Sequence, residues 1–149
     1  MKIAIAADHG GYPLKASIIK CLENAGHEVL DLGAHEYDST DDYPDFARYV
    51  GQAIQHKQAA RGIILCGSGV GASVAANKLK AVRAGLCHDV YSAHQGVEHD
   101  DINVLCMGAR VIGEALACEI VAAFTNAQFT GEQRHLRRCE KVNALEDAQ

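Results

Sequence analysis

Short apolar runs recur along the chain, and each is followed by a longer segment in which apolar residues repeat every three or four positions. The first run is KIAIAA (2–7). The segment after it carries Leu14, Ile18 and Leu22 at helical spacing and closes at Gly26, a residue that often ends helices. A short continuous apolar run is typical of a buried strand, so the opening predicts a strand and then a helix.

The same alternation continues to the end of the chain. Further strands are predicted at 28–33, 62–66, 82–87 and 103–108, and further helices from Pro44 onward and at 72–79, 90–97, 113–126 and 132–147, the 113–126 helix burying a stripe of Leu116, Ile120 and Phe124. Strands separated by helices require crossover connections, which give a parallel sheet with helices on both faces. We therefore predict an α/β fold: a single-domain, doubly wound, Rossmann-like three-layer sandwich with a five-stranded parallel sheet.

Length and composition narrow the class of protein. A chain of 149 residues is long enough for one domain and short for two, so we predict a single domain over 1–149. Hydrophobic residues make up 48% and charged residues 22%, and no apolar run approaches the ~20 residues needed to span a bilayer, so we expect a soluble protein without membrane attachment. The net charge of −5 does not indicate a nucleic-acid partner.

The first residues of the chain and its cysteines bear on where in the cell the protein is expected. MKIAIAADHGG lacks the features of a secretory signal, so we expect a cytoplasmic protein whose six cysteines are reduced. The cysteines form no C-x-x-C pair, which argues against a zinc site or a redox dithiol. Most of them are then expected to be small core residues.

Ligands of open parallel sheets bind beyond the carboxyl ends of the strands, and this rule selects four loops. They are ADHGG, CGSGVG, CHD and GAR, after the first, third, fourth and fifth strands. In the second of these, Gly67, Gly69 and Gly71 allow backbone N–H groups to point inward and hold an anion, either a phosphate or an enediolate. A thiolate at Cys66 would be stabilised beside them, as a proton acceptor or a nucleophile.

Other interpretations of these residues stay open at this point. A cysteine at the end of a buried strand is usually core filler. The pattern Gly67-x-Gly69-x-x-Ala72, with Asp89 about 20 residues on, also fits a relaxed dinucleotide fingerprint, although a lone match is weak. Asp8 could be a helix cap rather than a site residue.

Two more clusters carry candidate chemistry. His88, His94 and His99 could suggest a metal, but their intervals of six and five do not match the i, i+4 spacing of a helical zinc site. Arg134 and Arg138 are four residues apart, so on a helix they share one face and could clamp a phosphate. A solvated basic face is the alternative for this pair.

Six stretches together resemble the type B ribose-5-phosphate isomerase family, which also includes galactose-6-phosphate isomerase subunits and relatives acting on other aldose phosphates. They are ADHGG, DYPDFA, CGSGVGASVAANK, VRAGLCHD, NVLCMGAR and GEQRHLRR. They occur in the family's order and spacing over nearly the whole chain, which makes the set far more specific than any one of them.

The resemblance implies a metal-independent and cofactor-free isomerisation of ribose 5-phosphate to ribulose 5-phosphate through a cis-enediolate. Cys66 would be the base that moves a proton between C1 and C2, Ser68 would help move the proton between O1 and O2, and His99 would open the sugar ring. The enediolate would be held by the amides of residues 67–71, namely Gly67, Ser68, Gly69, Val70 and Gly71. Asp8, His9 and Tyr43 would line the sugar site, and Arg110, Arg134 and Arg138 would grip the phosphate together with His9.

The resemblance also implies a homodimer with sites at the subunit interface and a C-terminal helix reaching to the partner; tetramers stay open. The family usually has asparagine at the position of Asp100. An ionised carboxylate only accepts hydrogen bonds, whereas an amide also donates, so Asp100 could mark another substrate, of the allose 6-phosphate or galactose 6-phosphate type. A nucleotide-binding module without activity is the alternative from a different class.

Overall fold

Strands and helices alternate along the chain, as the apolar pattern predicts. The computed structural model describes residues 1–147, so the last two residues of the predicted 1–149 domain lie outside it. The elements of this range are β1 (Lys2–Ala7), α1 (Tyr12–Asn24), β2 (Glu28–Asp31), α2 (Tyr43–Gln55), β3 (Arg61–Cys66), α3 (Val70–Ala76), β4 (Ala84–Leu86), α4 (Val90–Asp100), β5 (Val104–Gly108), α5 (Glu114–Asn126) and α6 (Gln133–Asp147). None of these helices is both long and apolar enough to cross a bilayer.

Within residues 1–147 the strands form one five-stranded sheet in the order β2-β1-β3-β5-β4, and every neighbouring pair is parallel. The predicted doubly wound α/β fold is confirmed. The chain moves outward in one direction from β1 and in the other from β3, so the loops after these two strands diverge and leave a crevice between them. Ala7 lies opposite Leu65, and Cys66 lies opposite Gly108, so the three central strands end almost level.

The two faces of the sheet bury different side chains. On β1, Ile3 and Ile5 point into one apolar cluster, and the alternating Ala4 and Ala6 point into the other. The first cluster includes residues of α1, α4 and α5, and the second includes residues of α2 and α3. Cys66 belongs to the second cluster, so its backbone position is fixed by a packed core.

Several element ends differ from the predictions. α3 ends at Ala76 instead of 79, and α4 continues to Asp100 instead of ending at 97. The extra turn of α4 stops at Asp101, which adopts a left-handed backbone with φ 50° without being a glycine. His99 and Asp100 therefore lie in the last turn of a helix rather than in a loop.

The predicted apolar stripe on α5 is wrong in one member. Leu116 is exposed, whereas Ala117, Ile120 and Phe124 are buried in the core cluster. Residues three and four apart share a helix face, and both Ala117 and Leu116 fit that spacing, so the pattern did not decide between them. The buried stripe of α5 therefore begins at Ala117 rather than at Leu116.

The expectation that all six cysteines are reduced is also wrong. Cys21 of α1 and Cys118 of α5 form a disulfide, with their Cα atoms 6.0 Å apart. The two residues are separated by 97 positions in sequence, and only the packing of α1 beside α5 brings them within bonding distance. Four free cysteines, Cys66, Cys87, Cys106 and Cys139, are found in the described range.

Candidate active site

Cys66 lies at the wall of a cavity at the carboxyl edge of the sheet. The cavity has a volume of about 290 Å³ and is lined by Asp8, Tyr43, Cys66, Gly67, Ser68, Gly71, Arg110 and Val111. These residues come from the end of β3, from the loops after β1, β3 and β5, and from the first turns of α2 and α3. The loops selected from the sequence after the first, third and fifth strands therefore converge. We call this set, with the neighbouring His9 and Gly69, the Cys66 group.

The loop after β3 directs a backbone amide at the sulfur. Gly69 N–H donates to the Cys66 Sγ at 2.9 Å, and Val70 N–H donates to the Ser68 Oγ at 3.3 Å. Gly69 has a left-handed backbone, with φ 81°, and a Cβ there would lie 2.5 Å from the Leu86 Cδ1. Glycine is thus required for this turn, and it aims its amide at the Cys66 sulfur.

Other buried thiols have surroundings that disfavour ionisation. Burial raises the pKa of Cys87 to about 11. Burial raises the pKa of Cys106 still further, and the nearby Cys66 adds to the effect. Neither residue lines the cavity, so among the free cysteines of residues 1–147 Cys66 is the one suited to act there.

The Asp8 carboxylate forms a hydrogen bond within the chain and also lines the cavity. Its Oδ1 accepts a hydrogen bond from Gly11 N–H at 2.9 Å, immediately before α1, and its backbone oxygen accepts from Tyr12 N–H. Burial is the main cause of a raised pKa for this carboxyl group. The N-cap residue of α1 is Gly11 and has no side-chain cap, so the N-cap interpretation of Asp8 is wrong; its carboxylate holds the Gly11 amide and lines the cavity.

Tyr43 and Arg110 close the cavity on two sides. Tyr43 begins α2, and a Cβ on Gly71 would lie only 2.7 Å from its ring, so the ring rests against the loop backbone. Arg110 follows β5, and its backbone N–H donates to the Gly67 carbonyl oxygen at 3.0 Å. Its guanidinium group lies against Gly67, which places a fixed positive charge at the glycine loop.

His9 is held by Asp41, a residue that the sequence did not single out. The Asp41 Oδ1 accepts from the His9 backbone N–H at 2.9 Å and pairs with the ring Nδ1 at 2.7 Å. This hydrogen bond is the main cause of a raised pKa for His9. Asp41 belongs to the polar stretch before Tyr43, and its several acidic residues give no sign of which one reaches His9.

Among residues 1–147, one group of side chains could hold a metal ion. The donor atoms of Asp8, His9 and Asp41 all lie within 4.8 Å of one another. However, the His9 Nδ1 is bonded to Asp41, and one Asp8 oxygen is bonded to Gly11. One donor atom of each of the three residues is thus already bonded within the chain, and His9 and Asp41 have the geometry of an ion pair.

The three histidines considered for a metal have separate partners. His88 Nε2 accepts from Gly108 N–H at 2.9 Å, and His94 pairs with Glu98 at 3.1 Å. His99 instead contacts two residues absent from the sequence predictions. Its Nδ1 lies 2.9 Å from the Gln95 Nε2, and its ring stacks on His135 at 4.1 Å.

His99 and Asp100 lie at the opposite edge of the sheet from Cys66. α4 leaves the carboxyl end of β4 and returns the chain to the amino end of β5, so its last turn is at the amino edge. Its 11 residues span about 16 Å at ~1.5 Å per residue. His99 therefore cannot reach the Cys66 cavity of its own chain.

Arg134 and Arg138 lie beside the end of α4. Arg134 Nε donates to Glu132 at 2.8 Å, and Arg138 and Asp100 line a second cavity of about 170 Å³. The Cys139 Sγ, 3.8 Å from the His99 carbonyl oxygen, and the His99–His135 stack join α6 to α4. We call His99, Asp100, Arg134 and Arg138 the His99 group. The single chain thus divides the predicted site residues into two groups at opposite edges.

The dinucleotide interpretation assigns a role to Asp89 that this carboxylate does not have in the structure. Asp89 is the N-cap of α4, and its Oδ1 accepts from Ser92 N–H at 2.7 Å. Its hydrogen bonds to Ser92 lower its pKa. The carboxylate expected to bind a ribose is therefore committed to starting a helix.

Comparison with known proteins gives one consistent family. The model of the family described as Ribose/Galactose Isomerase matches residues 3–142. The chain is 43% identical over 145 residues to ribose-5-phosphate isomerase B of Escherichia coli (strain K12), covering 97% of this chain and 96% of that protein.

Two solved structures show the same fold over the whole chain. Ribose-5-phosphate isomerase B of Clostridium thermocellum superposes with a TM-score of 0.96 at 43% identity, covering 99% of both chains. The Mycoplasma genitalium ribose-5-phosphate isomerase B, solved with bound ribulose-5-phosphate, has a TM-score of 0.93 at 39% identity and covers 99% of this chain and 97% of its own.

Proposed function

Because this chain belongs to the ribose/galactose isomerase family, we propose that it is a type B ribose-5-phosphate isomerase, an aldose–ketose isomerase that interconverts ribose 5-phosphate and ribulose 5-phosphate. The observation that carries the proposal is the cavity at the carboxyl edge of the sheet, in which the Cys66 sulfur receives the Gly69 amide. A cytoplasmic location is part of the same proposal.

Cys66 acts on the open-chain sugar as the base. The thiolate takes the proton from C2 of the aldose, the C–H electrons form the C1=C2 double bond, and the carbonyl electrons move to O1. The resulting cis-enediolate carries its negative charge beside the amides of residues 67–71 and the Arg110 guanidinium group. Ser68 moves a proton from O2 to O1, and the Cys66 thiol returns its proton to C1, which gives the ketose without an oxidant.

His99 opens the furanose ring before the proton transfer, by donating a proton to the ring oxygen while a water molecule takes the proton of the O1 hydroxyl. Because His99 lies at the opposite edge of its own chain, the His99 group reaches the Cys66 cavity only from a second copy. The active enzyme is a homodimer, and α6 brings Arg134 and Arg138 to the partner's cavity to hold the phosphate.

Exposed apolar side chains support such an assembly. Val74 of α3 and Tyr91 of α4 are exposed, as are Val142 and Leu145 of α6. These are large side chains on three helices, and Val142 lines the cavity of Asp100 and Arg138. Surfaces of this kind mark protein interfaces when they are contiguous.

The sugar is the least constrained part of the proposal, because Asp100 can accept but not donate a hydrogen bond when ionised. Ribose 5-phosphate is the leading substrate, and an aldose 6-phosphate of the allose or galactose type is the second candidate. The difference between them is one carbon, which changes how far the sugar extends from Cys66 toward the phosphate-binding arginines.

A panel of ribose 5-phosphate, allose 6-phosphate and galactose 6-phosphate, assayed with EDTA present, tests reaction, sugar and metal together. We expect ketose formation from ribose 5-phosphate to be fastest and EDTA to have no effect. Titration with NAD and ATP under the same conditions should show no binding. Binding of either nucleotide without isomerisation of any of the three sugars would favour the nucleotide-binding module instead.

A further inference from the structure

We propose that Asp41 is a positioning residue for substrate phosphate: it fixes the His9 ring through Nδ1, so that Nε2–H is presented as a charged donor to the phosphate oxygens. The proposal rests on the proposed function, because it takes the phosphate of the sugar as the group that His9 contacts.

The geometry of the pair is restrictive. One carboxylate oxygen, the Asp41 Oδ1, accepts from both the backbone and the ring of His9, at 2.9 and 2.7 Å. The backbone bond fixes the loop after β1, and the ring bond fixes the rotation of the imidazole. With Nδ1 committed to a carboxylate, the proton-bearing Nε2 is the nitrogen left for a ligand. A histidine oriented in this way has one available donor in a defined direction.

The second oxygen of the Asp41 carboxylate indicates that the charge of His9, and not only its orientation, is part of the arrangement. The Asp41 Oδ2 is buried and has no hydrogen-bond partner among the described residues. An unpartnered buried carboxylate oxygen is unfavourable unless a positive charge is adjacent. His9 supplies that charge as imidazolium, so the carboxylate and the protonated ring stabilise each other.

The neighbours of His9 favour the same state. Asp41, Asp8 and Asp38 are the carboxylates that act on it, and the Tyr37 ring meets it edge-on at 6.5 Å. The raised pKa keeps His9 protonated to higher pH than an ordinary histidine. A phosphate ester loses its second proton near pH ~6, so Asp41 extends to higher pH the range in which imidazolium and dianion coexist.

Two variants separate orientation from charge. Asp41→Asn keeps an acceptor oxygen for both His9 N–H groups and removes the charge, whereas Asp41→Ala removes both. Asp38→Asn is the matched control, because Asp38 acts on His9 only through space and is bonded to Thr40. KM and kcat for ribose 5-phosphate are measured from pH 6 to 9, and the pKa of His9 is followed by NMR.

For Asp41→Ala we expect KM to rise about tenfold at neutral pH with a smaller change in kcat, because His9 contacts the phosphate and not the reacting carbons. For Asp41→Asn the KM should match the wild type at pH 6 and rise roughly threefold or more at pH 8, as the pKa of His9 falls toward the ordinary ~6.5. Asp38→Asn should leave KM within about twofold at both pH values.

Unphosphorylated ribose distinguishes a phosphate effect from a general loss of structure. Its kcat/KM should be the same in wild type and both Asp41 variants. An equal loss for ribose and ribose 5-phosphate, or an unchanged His9 pKa with unchanged KM in Asp41→Asn, overturns the proposal. If the wild type isomerises no sugar phosphate, the proposed function fails, and the NMR measurement of His9 still decides whether Asp41 controls its charge.

Discussion

The Cys66 group and the His99 group are built in different ways. The Cys66 group lies on the ends of three central strands, over a packed core, with a left-handed glycine turning an amide onto the sulfur. The His99 group lies on the ends of two helices, where His99 is half-buried against His135 and both arginines are exposed. One region is preorganised for an anion within a single chain, whereas the other has the chemistry of a ligand clamp in which only Asp100 and Arg138 share a small cavity.

This difference in construction indicates where the His99 group would act. Residues placed by strand ends already converge on their own cavity, so they need no other element to form a site. Residues placed at a helix end on the opposite edge lie away from that cavity, so in the proposed function a second molecule presents them. Breaking each group separately should therefore have different kinetic consequences.

Breaking the Cys66 group should have the largest effect. Cys66→Ala removes the proposed base, and we expect kcat for ribose 5-phosphate to fall by about 10³-fold or more with little change in thermal stability. Cys106→Ala is the matched control, because Cys106 is buried in the neighbouring strand and lies outside the cavity. Retention of more than about a tenth of the wild-type kcat in Cys66→Ala would remove Cys66 as the base.

Breaking the His99 group at its arginines should act mainly on binding. Arg138→Ala removes a proposed phosphate contact, so KM for ribose 5-phosphate should rise by roughly 10- to 100-fold and kcat should fall less. Arg137→Ala, an exposed neighbour on the same helix, is the control and should be close to wild type. Equal increases in KM for Arg137→Ala and Arg138→Ala would mean that this helix offers a general basic surface and not a specific phosphate clamp.

The sequence predicted the Cys66 group better than the His99 group for a physical reason. Loops after parallel strands must share an edge, so the topology alone brings Asp8, Cys66 and Arg110 together. The position of His99 depended on whether α4 ends at 97 or at 100, and that end is set by the left-handed Asp101 rather than by a glycine. Helix boundaries of this kind are decided by tertiary contacts that a single sequence does not reveal.

Two side-chain pairs could not be predicted from the sequence, because they too depend on tertiary packing. Asp41 and His9 are 32 residues apart, and Cys21 and Cys118 are 97 apart, so only the packed fold makes them neighbours. The family resemblance is confirmed, but it did not predict either pair. The roles assigned to individual site residues stay predictions for the experiments described.

The disulfide should leave both groups untouched, which sharpens the comparison. Replacing Cys21 and Cys118 together by serine opens a loop of 97 residues, and we expect the free energy of unfolding to fall by about 4 kcal/mol. The kcat and KM of the folded protein should not change, because neither residue lines the cavities of the two groups. Denaturant unfolding with and without reductant measures the first effect, and a loss of activity below the unfolding transition would mean that α1 and α5 position the site.

Mixing two inactive variants tests most directly whether the two groups complete each other across chains. Cys66→Ala and the double variant His99→Asn/Arg138→Ala are unfolded together, refolded at a 1:1 ratio and assayed with ribose 5-phosphate. If each site takes Cys66 from one chain and the His99 group from the other, half of the dimers are mixed and each mixed dimer has one intact site, so about a quarter of wild-type activity should return. Activity no greater than the sum of the two variants alone would contradict the two-chain site.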